Sequence, residues 1–385
     1  MQQLLLLGLA SLFFSCSGTT PTSSQTAAQE GGSQHAFENP DVIFENIPQD
    51  VDSLITFKAF DAYENKYKNL SGFKSFAQSE SGAWAYVINR DSQEEADLHV
   101  LESCKKYNVR FNDTYPCSLI NISNKWLDSP NRAKEILGSL PKFTPETPID
   151  LRKLRSNALE DLQTKDYAMA LSKRIWFHQH ALEVDEHYSA VRLSYGIMDW
   201  AKLGEIYPPA KTLLRYVASY TKHSLMNDPK DAYSLIHEYV SLNRVLERTD
   251  QSMSFFKWLD KHHPDVAIKN FHIFQDVLIK HEQYSLYNKY LSPNVDFSQM
   301  VSNYVWAIDA SEKVVYGDKK TSQEMLASAT KTFIYNVSRL VAMLVINERS
   351  EETKSIAAKA KLELDSDEFM TSLNNALDGE LPLAR

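Results

Sequence analysis

Apolar and polar positions change rhythm several times along the chain. Residues 4–14 are an unbroken apolar or small run. It is too short to cross a hydrocarbon core of about 30 Å but has the length of a signal-peptide h-region. Residues 17–35 carry no large apolar side chain, so they cannot bury enough surface to offset the entropy of ordering them, and they read as a flexible tether. Two β-rich runs, 72–77 and 83–88, flank the turn residues Ser79, Glu80, Ser81 and Gly82 and predict a hairpin. Asp91 or Ser92 then offers a helix cap, Glu94 and Glu95 suit the first turn, and Ala96, Leu98, Val100 and Leu101 carry a helix ending near Lys105 and Lys106. Residues 117–122 alternate as a strand. From residue 151 the spacing is helical almost throughout, broken at Asp166, Pro208, Asp228, Asp250, Pro264, Pro293, Thr321 and Ser350. Helix starts about 20 residues apart, and pairs about 40 apart, are the scale of stacked helical hairpins.

These patterns divide the chain into residues 1–16, a tether 17–35, a small mixed module 36–127, a Pro-rich linker 128–150 containing a short helix near 131–140, and a helical region 151–385. A length of 385 residues fits two or three domains. At 43% hydrophobic and 24% charged residues the composition excludes collagen-like, wholly disordered and multi-span membrane classes. The net charge of −9 repels a polyphosphate backbone, so no nucleic-acid partner is expected.

Leu12-Phe13-Phe14-Ser15-Cys16 resembles a bacterial lipobox, with Phe13 where the usual Leu stands. The resemblance implies diacylation of Cys16 and a membrane attachment through that lipid. Ser17 is not the aspartate that retains lipoproteins at the inner membrane, which implies an outer-membrane lipoprotein facing the periplasm or cell surface. With Cys16 lipidated, Cys104 and Cys117 remain as a pair, and an exported chain meets oxidants, so a disulfide is expected. Two free buried thiols or a metal pair lacking its other ligands are the alternatives. Residues 72–126 resemble a small module of bacterial exported proteins that carries no catalytic motif. Trp84 and Tyr86 on its second strand read as packing, or as a ligand platform.

Trp200, Leu203, Gly204 and Tyr207 reproduce the W-x2-L-G-x2-Y signature of tetratricopeptide repeats. Lys165-Asp166-Tyr167 followed by Ala170-Leu171, with Ala181-Leu182 beyond, resembles that family's turn and second helix. The resemblance covers residues 151–226, weakens to 291 and is lost over a long helix at 322–346. Together with the patterns of residues 36–127 it gives an expected α+β chain: a small disulfide-bridged β-β-α-β module, then a mainly α array that the resemblance makes tetratricopeptide-like, whose stacked helical hairpins would hold a peptide or partner helix on their concave side.

Candidate chemistry is sparse. His178 and His180 lie about 200° apart on a helix and cannot share an ion. No HExxH, P-loop, GxGxxG, GxSxG or paired-carboxylate motif stands out. No catalytic, metal or cofactor residue is therefore assigned, and no cofactor is expected. Trp176, His178, Arg192, Tyr195 and Asp199 form a possible groove. Arg192 and Asp199, seven apart, with Glu183 and Asp185 on the preceding helix, read as a buried polar network or a carboxylate clamp. Tyr284, Tyr287 and Tyr290 read as core or as an aromatic groove. The expected function is a cell-envelope lipoprotein that binds a protein or peptide or serves as a scaffold. The competing expectation is an envelope hydrolase or glycan-processing enzyme with a site between the two domains, and the third is a purely structural protein.

Overall fold

The computed structural model describes residues 54, 56–127, 132–312 and 319–382. Cys16 and the tether 17–35 lie outside them. The described chain is mostly helical, with one small antiparallel sheet near its start. It divides into two compact units, one ending at Ile273 and one beginning at Phe274.

In the unit ending at Ile273, the chain runs α1 (Phe57–Asn65), β1 (Phe73–Gln78), β2 (Trp84–Arg90), α2 (Gln93–Tyr107), β3 (Ser118–Ile122) and β4 (Lys125–Trp126). The strands pair antiparallel in the order β2-β1-β3-β4. Alternation decides which side chain meets which layer. Phe76, Ile120, Trp84, Tyr86 and Ile88 join Ala59, Tyr63 and Tyr67 from the α1 side, while Ala77, Ala85, Val87 and Leu119 join Val100 and Cys104 from α2. The sheet is thus covered on both faces. Trp84 and Tyr86 stack with Phe76 at 5.7 and 6.2 Å, so they serve as packing. Ser92 is the α2 cap, accepting from the Glu95 N–H at 3.1 Å. Cys104 near the end of α2 is bridged to Cys117, which fastens the helix to the strand that follows. The expected β-β-α-β order is extended by α1 in front and β4 behind. α1 has nine residues, three of them aromatic residues that favour strands, so it is too short and too aromatic to stand out by propensity although Phe57, Phe60 and Tyr63 recur at helical spacing.

The same unit continues with α3 (Arg132–Ser139), α4 (Leu151–Gln163) and α5 (Tyr167–Val184). A single α-turn (Ser189–Val191) and a π-helical turn (Arg192–Gly196) lead into α6 (Ile197–Gly204). Then follow α7 (Pro208–Asn227), α8 (Tyr233–Val245), α9 (Thr249–His262) and α10 (Pro264–Lys280), which crosses the unit boundary. Arg132 pairs with Glu80 in the hairpin turn, and Ala133 and Ile136 enter the helical core with Leu213, Leu214 and Val217. Trp200 is fully buried in that core and donates its indole N–H to the Ala210 carbonyl at 2.8 Å. At Gly204 an added Cβ would stand 2.8 Å from Lys211 Cβ, so the close approach of α6 and α7 requires glycine here.

The unit beginning at Phe274 holds α11 (Tyr284–Tyr290), α12 (Pro293–Glu312), α13 (Lys319–Ile346), α14 (Ser350–Glu363) and α15 (Asp367–Leu377). Within α13, residues Thr321–Ile346 are long and apolar enough to cross a membrane. Val337, Leu340, Val341, Met343 and Leu344 are nevertheless fully buried, as α12, α14 and α15 pack around this helix. Tyr287 and Tyr290 are core residues.

Among the described residues one turn recurs four times between successive helices. Lys165, Glu247, Glu282 and Glu348 each have positive φ, between 53° and 66°, and each stands two residues before the next helix. In each case the residue after it donates its N–H to the carbonyl five positions back, at 2.7–2.9 Å. This is the Schellman arrangement, which satisfies carbonyls left open at a helix end.

Candidate functional site

The described residues that come together with chemistry of their own lie at the start of α8 and along α10. Asp228 accepts the Lys230 N–H at 3.1 Å, and Asp231 turns the chain with φ of 53° into α8. Residues 233 and 237 are one helical turn apart and share a face. The Tyr233 ring stacks on His272 of α10 at 5.8 Å and tilts toward His237 at 6.1 Å. Tyr233 also borders a cleft of about 300 Å³ lined by Lys230 and Asp231 on its side and by Asp265, Lys269 and Asn270 on the other, which neither histidine reaches. Tyr233 is 44% exposed, so one part of the ring is packed and the rest faces solvent. Burial lowers the pKa of both His237 and His272, and at His237 the positive charges of Arg244 and Arg192, with that of His272 when it is protonated, add to the effect. Both imidazoles are therefore neutral near pH 7.

Glu238, next to His237, points into the protein. Its carboxylate meets Arg192 at 2.5 Å and His178 Nε2 at 3.2 Å. Arg192 also donates to the His178 carbonyl at 3.3 Å. All three side chains are buried. Burial raises the Glu238 pKa, but Arg192 first and His178 second overcome it and hold the carboxyl well below the ordinary range. The cluster ties α5, the π-turn and α8 together.

Asp199 belongs to a second network. It pairs with Arg155 of α4 at 3.0 Å and with Arg174 of α5 at 3.8 Å. The Arg155 guanidinium lies 5.4 Å from the Tyr195 ring centre. Arg192 and Asp199 thus do not form one network, nor do they meet Glu183 or Asp185. Seven residues return to one face of an α-helix, but the π-turn between them is wider and shifts the phase. Glu183 pairs with His180 at the surface at 2.9 Å, and Asp185 accepts the His187 N–H. His178 is buried and His180 is not, as their two-residue spacing requires. Trp176 is partly buried against Phe143 and His180.

Of the five expected groove residues, His178 and Arg192 are joined by Glu238, Asp199 and Tyr195 are joined through Arg155, and Trp176 stands with neither set. Sequence reasoning missed Glu238, Tyr233, His237 and His272. The pair Tyr233 and His237 carries a helical signal, whereas His272 reaches them only through the packing of α10. Among the described residues no group of three or more His, Cys, Asp or Glu is arranged to hold a metal. Chemically the cleft offers ammonium donors, carboxylate acceptors and a ring surface, which suits a short polar segment with one apolar or aromatic side chain. Comparison with known proteins finds no family model, no curated protein and no solved structure that matches this chain.

Proposed function

We propose that this chain is a cell-envelope lipoprotein that binds a protein or peptide partner through a tetratricopeptide-like helical region. Acylated Cys16 anchors it at the outer membrane, facing the periplasm or the cell surface, and residues 17–35 supply reach. The Cys104–Cys117 bridge supports export, since such bridges persist in oxidising compartments. The four recurring turns support a helical-hairpin region, as do the buried Trp200 and Leu203 and the close helix approach at Gly204.

The observation that carries the binding role is the cleft at Tyr233, where a half-exposed aromatic ring lies among side chains of both charges. A peptide docked there places its backbone groups against Lys230, Lys269 and Asn270 and a side chain against the ring. The test is a photo-crosslinking amino acid at position 233 in living cells. A discrete protein adduct that Lys269→Glu abolishes is expected. Absence of an adduct, or one indifferent to Lys269→Glu, overturns the reading.

A further inference from the structure

The end of α2 and the loop that follows it hold two exposed apolar side chains on a hydrogen-bonded, disulfide-closed turn. Tyr107 is 77% and Val109 82% exposed, while Asn108 between them is buried. Asn108 donates its side-chain amide to the Tyr115 carbonyl at 2.6 Å and accepts from the Ser81 hydroxyl at 2.6 Å. Ser79 donates to the same Tyr115 carbonyl at 2.7 Å. Backbone bonds from Phe111 to Asn108 and from Tyr115 to Phe111 close successive turns, and the Cys104–Cys117 disulfide closes the neck. These bonds hold Tyr107 and Val109 outward on an ordered turn.

The charge around the tip is equally local. Lys105, Lys106 and Arg110 are exposed beside Tyr107 and Val109, and the Arg110 guanidinium lies 4.9 Å from the Phe111 ring centre. The neighbouring acids are Glu102, one turn back on α2, and Asp113. The tip therefore keeps a cationic surplus in a chain whose net charge is −9.

We infer that residues 105–111 are a membrane-contacting tip that docks on a bilayer bearing anionic headgroups. Tyr107 and Val109 enter the interfacial layer, and Lys105, Lys106 and Arg110 meet lipid phosphates. A tyrosine has the apolar body and polar end that a membrane interface favours. Each cation adds about fivefold to the partition onto an anionic surface, and the attraction fades beyond a Debye length of about 8 Å at physiological salt. The docking does not depend on Cys16 acylation.

The experiment uses residues 17–385, which retain every described residue and lack the acyl site, in co-sedimentation with vesicles of phosphatidylglycerol and phosphatidylethanolamine at 1:1, or of phosphatidylcholine alone. Binding to the anionic vesicles, weakened by raised salt, is expected. K105E/K106E/R110E should reduce it by about a hundredfold or more. Tyr107→Ser with Val109→Ser should weaken it at least tenfold, while Lys354→Glu with Lys359→Glu on α14 should leave it unchanged. Unaltered circular dichroism confirms the fold of each variant. Failure of the parent chain to bind anionic vesicles overturns the inference, as does binding that the tip variants leave intact. A protein crosslinked at position 107 without vesicle binding assigns the tip to a protein partner and also overturns it. None of these outcomes bears on the crosslink at Tyr233.

Discussion

Single residues decide how the interior of the unit ending at Ile273 is held together. Glu238, Arg192 and His178 come from three different elements, and each loses most of its contact with water. A carboxylate in that position is tolerable only while its cation stays in place, because an isolated buried charge costs several kcal/mol. Glu238→Ala leaves the Arg192 guanidinium buried without its 2.5 Å partner. The expected loss is about 3–5 kcal/mol, read by urea denaturation at neutral pH. Arg192→Met in the same background should recover part of it, since an apolar side chain of similar length needs no counter-charge. A loss below 1 kcal/mol for Glu238→Ala would show that the cluster does not carry this packing. Arg192 and His178 were visible in the sequence as polar residues within helical runs. Their partner was not, because residue 238 is distant along the chain and only helix packing selects it.

At the scale of elements, the four Schellman turns that join successive helices are built without glycine, unlike the turn at Gly379 that closes α15. Lys165, Glu247, Glu282 and Glu348 adopt the left-handed region with long charged side chains, which costs roughly 1 kcal/mol each relative to glycine, whose missing Cβ removes the clash. Glu282 is exposed, so Glu282→Gly relieves that strain with little loss of side-chain contact. It should stabilise the chain by about 0.5–1 kcal/mol, measured as a rise in the denaturation midpoint; a fall would mean that the side chain is needed in the turn. The breaks expected at Pro208, Pro264, Pro293 and Ser350 coincide with helix starts. Proline lacks a backbone N–H and tolerates the first helical position, so its effect is local and legible. α1 was not legible: it is short and aromatic, and the sheet face it covers stabilises it more than its own propensity does. The π-turn Arg192–Gly196 left no sequence signal either, yet it separates Arg192 from Asp199.

At the scale of the whole molecule, anchoring and binding are assigned to different parts of the chain. Acylation of Cys16 on the proposed reading makes membrane retention a property of one residue outside the described region. Cys16→Ser should move the protein from the membrane to the soluble fraction in cell fractionation, with the tip at 105–111 contributing a weaker, salt-sensitive residue of binding. Retention unchanged by Cys16→Ser, even in high salt, would remove the lipid anchor from the account. Local rules sufficed for the helix starts at Pro208, Pro264, Pro293 and Ser350, the hairpin and the separation of His178 from His180, because periodicity, caps and spacing act over a few residues, while the Cys104–Cys117 pair followed from elimination and the expected compartment. Tertiary packing alone decided that the sheet is covered on both faces, that Glu238 answers Arg192, and that Tyr233 and His272 meet beside a cleft. Those contacts join residues far apart in sequence, and their energies come from burial and charge pairing that exist only once the helices have assembled.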